Sequence, residues 1–251
     1  MAACVEKPLP KPVHKLRSST RRLEATLELL ALSTDLAIRR KSKPLRRSLR
    51  KVRRAAGKVR DLDVHRKLLM ACRRSNDTAR LDNELVSARE KAATELCDEL
   101  TKSQKKINES LDDLEAVLKP VLDLELSGKD LIHLTRGWFA KKASQLDPKQ
   151  DEELHSIRKA GKTARYIAET GAGTSKAAAA LASRFECAQE TLGAWHDYLL
   201  LLNEARASLP EQSPTIDQIQ QSAIRLREQA NSVAKHLLVT IRDAPSQSGV
   251  H

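Results

Sequence analysis

Between Asp77 and Leu118 the chain places Leu81, Leu85, Ala88, Ala92, Leu96, Leu100, Ile107, Leu111, Leu114 and Leu118 at a helical period that holds until Pro120 perturbs it. Strand side chains alternate faces at every residue, so a sheet would send part of this stripe into water; a helix keeps it on one side. A helix of about 40 residues spans ~60 Å, and burying its stripe takes partners of similar length. Elongated helical bundles follow.

The rest of the chain supplies those partners. Helices are predicted from Val13 to Ser33, from Lys43 to Arg74 with Pro44 in the first turn, from Lys129 to Leu146, from Asp151 to Thr170 closed by Gly171–Gly173, and from Ser175 to Ser208. Past Pro210 and Pro214 a last helix carries the heptad Ile216, Ile219, Ala223, Leu226, Ala230, Val233 and Leu237. Aromatics at 2% and only 8 glycines leave sheet-rich folds and glycine-lined nucleotide loops poorly supplied, so the chain is read as all-α. Trp138, Phe139, Phe185 and Trp195 fall on apolar helix faces and are read as core. Cys4, Cys72, Cys97 and Cys187 form no CxxC pair and read as reduced intracellular thiols. The opening MAACVEKPLPKP lacks the apolar run of a signal peptide, and no segment reaches a membrane-spanning length, so a cytoplasmic location is expected.

Charge is the second constraint. The net charge is +12, yet residues 1–60 hold 18 Lys and Arg against Glu6, Glu24, Glu28 and Asp35, so this segment carries the entire excess. Such a field attracts a polyanion and raises its association rate. On the first predicted helix His14, Arg17 and Arg21 lie at i, i+3 and i+7 beside the apolar stripe Val13, Leu16, Leu23, Leu27 and Leu30. On the second, Lys43, Arg46, Arg50, Arg53 and Arg60 follow one side of the stripe Leu45, Leu49, Val52, Ala56 and Val59, while Arg47, Lys51, Arg54 and Lys58 follow the other. Like charges at i, i+4 cost a few tenths of a kcal/mol per pair, and almost no acid lies within the helix. Compensation must come from outside it. Acidic neighbours between Asp77 and Glu99 are one source; a polyanion is the other, since a one-turn spacing of about 5–6 Å lets successive guanidiniums grip successive phosphoryl groups.

The pattern occurs twice. Shifted by 141 residues, HKLRSSTRR from His14 meets HSIRKAGKTAR from His155, pairing His14 with His155, Leu16 with Ile157, Arg17 with Arg158 and Arg21 with Lys162. The second row is longer: His155, Arg158, Lys162 and Arg165. At an offset of 136, GKVRDLDV from Gly57 meets GAWHDYLL from Gly193, pairing Arg60 with His196 and Asp61 with Asp197, and Leu45, Leu49, Val52, Ala56 and Val59 become Leu181, Phe185, Ala188, Leu192 and Trp195. Two related antiparallel bundles of long helices, packed about a pseudo-twofold axis, are the expected architecture. Gly57 and Gly193, costly mid-helix by about 1 kcal/mol each, are read as allowing close helix crossing. Asp61 and Asp197, acids inside cationic motifs, are read as orienting an Arg or His by a charge-assisted hydrogen bond.

The twofold HxxR helix start, each followed by G-x-x-[RH]-D, together with RDLDV at Arg60–Val64, resembles the CHAD domain, the conserved-histidine α-helical domain, over about 12–242. The resemblance implies one domain of two repeats, about 12–126 and 150–242, joined by a helical segment 129–146, enclosing a basic central pore or groove. It implies binding of inorganic polyphosphate without catalysis, and association with polyphosphate granules as a further location. Carried over by position, His14, Arg17, Arg21 and Arg60 contact the anion in the first half, and His155, Arg158, Lys162 and His196 in the second. Lys43, Arg46, Arg50, Arg53 and Arg165 extend these rows. Where the first half has Arg46, Arg50 and Arg53, the second has Ala182, Glu186 and Gln189, so the halves are not expected to share binding equally. Residues 1–11 are expected to form a flexible leader and 243–251 a frayed tail.

Two other functions compete. A nucleic-acid binder would use the same cations, but the chain offers few aromatics for stacking, and a cavity-lining row is too narrow for a duplex. A phosphohydrolase lacks a nucleophile–base pair, a P-loop or a carboxylate cluster for Mg²⁺; no catalytic residue, metal site or cofactor, and no obligate protein partner, is expected. His65, His133, His236 and His251 have no counterpart in the repeat and are read as surface or packing residues.

Overall fold

The computed structural model describes residues 2–33, 36–121 and 125–242. They form the helices α1 (Ala2–Glu6), α2 (Pro10–Ser33), α3 (Leu36–Lys41), α4 (Lys43–Leu69), α5 (Asn76–Leu118), α6 (Gly128–Ala143), α7 (Asp151–Glu169), α8 (Lys176–Ser208) and α9 (Pro214–Arg242), with a 3₁₀ turn over Lys119–Val121 and no strand among the described residues. The expected tail 243–251, with His251, lies outside them.

Contacts divide the chain into two compact units, one made of residues to Glu125 plus Asp197–Ala223, the other of Leu126–His196 plus residues from Ile224 onward. These limits differ from the sequence repeats. The repeats record which segments are alike; the units record which pack together, and α8 and α9 each serve both.

In the first unit α4 packs against α2 and α5. Its whole predicted stripe, Leu45, Leu49, Val52, Ala56 and Val59, is buried against Val13, Leu16, Leu27, Leu96, Leu100 and Ile107. Helix α5 runs for 43 residues, started by a capping box in which the Ser75 hydroxyl accepts from the Thr78 amide and the Thr78 hydroxyl accepts from the Ser75 amide. That cap explains why α4 stops at Leu69, short of the expected Arg74: the intervening residues turn the chain. Of the α5 stripe, Ala88 and Leu111 are exposed. A second cluster joins Leu69, Leu81 and Leu85 to Leu201, Leu202, Ala205, Ile216 and Ile219.

Two short helices carry no periodic signal in the sequence. Residues 2–11 are no flexible leader: Cys4 on α1 is buried in the core, the Cys97 thiol points at the Cys4 and Val5 carbonyls, and Arg89 donates to the Pro8 carbonyl while also pairing with Asp63. On α3, Ile38 is buried, and Arg39, Arg40 and Lys41 sit in the last turn, where the helix dipole favours cations.

In the second unit a capping box between Ser127 and Asp130 starts α6, which packs on α7. The Phe139 and Phe185 rings meet edge to face at 5.1 Å. The second-half stripe, Leu181, Phe185, Ala188, Leu192 and Trp195, is buried throughout. Trp138, expected in the core, is only partly covered.

Candidate anion site

In the first unit the α2 row is held by α4. Arg17 Nη1 donates to the Gly57 carbonyl at 3.2 Å and to Asp61 Oδ1 at 2.9 Å. His14 is exposed, and Arg21 and Arg60 are half-buried. Asp61, expected to orient an Arg or His, accepts from the Arg17 guanidinium.

The α4 arginines divide in a way periodicity does not reveal. Arg46 donates to Glu28 Oε2 at 2.6 Å and to the Ser42 hydroxyl, and Arg53 pairs with Glu24. Glu24 and Glu28 lie one turn apart on α2, so two cations placed in the anion row are neutralised by carboxylates instead. The acids come from α2; from the third helix of the sequence reading, now α5, Glu95 reaches only Lys58 among the two α4 rows. Lys43, Arg47, Arg50, Lys51 and Arg54 are exposed.

In the second unit His155 of α7 and His196 of α8 meet, their ring centroids 4.5 Å apart. Trp195 lies beside them, 6.1 Å from the His196 ring. Arg158 and Lys162, one and two turns on from His155, are half-buried on the same face. Burial first, then the charges of Arg158, Lys159 and Lys162, push the His155 imidazole down to about 4. Burial and, after it, the neighbouring cations keep it from taking up a proton until the pH falls toward 4. Arg165, predicted to continue this row, is instead bound by Glu169 at 2.6 Å and Glu186 at 2.7 Å. Asp197 is half-buried on α8.

Gly57 and Gly193 are not packing devices. A Cβ built at Gly193 meets nothing within 4 Å, and one at Gly57 meets only Arg17 Nη1 at 3.9 Å, so no crossing helix excludes a side chain at either position. What Gly57 contributes is a carbonyl for Arg17.

His65 escaped the sequence reading as a polar contact. It is 1% exposed, and its Nδ1 lies 2.8 Å from Glu204 Oε2, beside a groove of about 460 Å³ whose wall includes Lys58, Asp61 and Lys91. A partner 139 residues away leaves no local signal. Among the described residues no group of three or more His, Cys, Asp or Glu stands where it could hold a metal ion, and no helix is long and apolar enough to cross a membrane.

The His155 shift carries a consequence for stability. Its folded value lies below the 6.5 of the free side chain, so the unfolded state takes up the proton first. Stability from this group is complete above about 6.5 and lost as pH falls toward 4. Denaturant unfolding across that window is expected to show a loss of about 1–2 kcal/mol that His155→Gln removes, the full linkage value being reduced because the half-buried ring keeps some water contact.

A family model for the CHAD domain matches residues 2–206, and the chain belongs to that family. Its fold is similar to the crystal structure of the CHAD domain from the plant Ricinus communis, with a TM-score of 0.70 and 19% identity, covering 98% of this chain and 86% of that one. No curated protein matches the chain.

Proposed function

We propose that the chain binds inorganic polyphosphate through its cationic rows and breaks no bond. The observation that supports this most is the second-unit cluster: His155 and His196 in contact, beside half-buried Arg158 and Lys162, with protonation of His155 opposed first by burial and then by the surrounding positive charge. A site whose cations destabilise one another's protonation is one an anion relieves, and bound phosphate would draw a proton onto His155. The CHAD family, for which polyphosphate is a known ligand, agrees with this chemistry. In the first unit Arg17 is already held by the Asp61 carboxylate and the Gly57 carbonyl, so it contributes field more than contact. Arg46, Arg53 and Arg165, each committed to a carboxylate, contribute field more than contact. Location at polyphosphate granules is a corollary of the same reading.

A second reading has its own observation. Arg47, Arg50, Lys51 and Arg54 form an exposed cationic face on α4 that a cavity-lining row would not present, and a phosphodiester backbone suits it. Titration with polyphosphate of defined chain lengths and with duplex DNA, each at two salt concentrations, separates the two. Tighter binding of polyphosphate that weakens steeply with salt and tightens as pH falls toward 4 is expected. Equal or stronger DNA affinity would replace the first reading with the second.

A further inference from the structure

Building on the anion site proposed above, we infer that Arg227 of α9 is its positioning residue, fastening the start of α7 and the α8 segment that carries His196 to one guanidinium so that the two histidines stay in register. Arg227 Nε pairs with Asp151, one turn before His155 on α7, and its Nη2 donates to the Lys149 carbonyl just ahead of that helix. The same guanidinium lies over the indole of Trp195, 5.8 Å from the ring centroid. Trp195 immediately precedes His196, and at 2% exposure it is anchored in the core. One side chain therefore ties together the two helices whose imidazoles meet at 4.5 Å.

Arg227 is not itself a ligand for the anion. Its Nε and Nη2 already face a carboxylate and a carbonyl, and its face lies on the indole. Nor is it an ordinary surface pair. Asp151 is 59% exposed, but the Arg227 side chain is only 22% exposed, and the carbonyl and indole contacts are what a solvated ion pair lacks. Neither of the two sequence motifs includes it, because it lies on a helix that carries no part of either row.

The test reads His155 directly in the ligand-free protein by its NMR titration. The charged groups facing it are Arg158, Lys159 and Lys162 of its own helix, with the titratable His196 ring from α8. Arg227→Met keeps bulk and removes the donors and the planar charge. Its His155 midpoint is expected to rise by about one pH unit or more from about 4 as water reaches the loosened ring. The mutual ring-current shifts of the pair should shrink, and polyphosphate affinity should fall by ~10-fold. Arg227→Lys, with charge but no fork, should restore neither. Asp151→Asn, at an exposed position, should move the midpoint the same way by less, and it decides the matter if Arg227→Met does not fold. An unchanged midpoint with undiminished ring-current shifts overturns the inference. Wild-type protein that binds no polyphosphate overturns the proposed function alone, since the titration uses no ligand.

Discussion

Arg158→Glu is expected to lower polyphosphate affinity by about 100-fold or more, the ~3 kcal/mol that accompanies loss of a charge-assisted contact together with introduction of a like charge at a desolvated anion site. Arg158 lies one turn from His155 and is among the charges that hold that imidazole down, so a carboxylate in its place should also move the His155 titration upward. Helical content by circular dichroism should stay as in the wild type, because the position is half-buried at the edge of α7 rather than in its core. Arg17→Glu is a poorer probe: it would set a carboxylate against Asp61 and the Gly57 carbonyl, mixing folding with binding. Affinity within threefold of wild type after Arg158→Glu would remove the second-unit row from the binding surface.

Trp195→Ala is expected to destabilise the chain by ~3–5 kcal/mol, the range for truncating a large buried aromatic with incomplete collapse of the cavity. Trp195 is the largest fully buried side chain, on the same α8 stripe as Leu192 and Phe185, and its loss also removes the surface on which Arg227 rests. Thermal unfolding should fall by roughly 10 °C, at about 2–4 °C per kcal/mol for a chain of this size. Trp195→Phe, which keeps a ring in the site, should recover a large part of the loss. A melting temperature within 2 °C of wild type for the alanine variant would contradict the burial of Trp195.

Much of this molecule was legible because helical periodicity is a local property. The stripe Leu45, Leu49, Val52, Ala56 and Val59 and its counterpart Leu181, Phe185, Ala188, Leu192 and Trp195 are buried in full, as spacing alone required. The five-residue α1 and six-residue α3 were not legible, since neither completes two turns and each is stable only by docking on longer helices. The rows His14, Arg17, Arg21 and His155, Arg158, Lys162 were visible for the same reason as the stripes. The partners of individual cations were not. Nothing near Arg53 announces Glu24, and nothing near Arg165 in the HxxR motif announces Glu186.

By itself, then, the sequence determined the class of fold, the two cationic rows and the duplicated motif, because each depends on spacings within a single helix. Tertiary structure decided which of those cations keep their charge available. Arg46, Arg53 and Arg165 are matched by carboxylates on neighbouring turns or helices, His155 is brought against His196, and Arg227 reaches across from α9. Ion pairs and imidazole contacts act over a few ångströms between residues far apart in the chain, and only the packing of helices sets those distances.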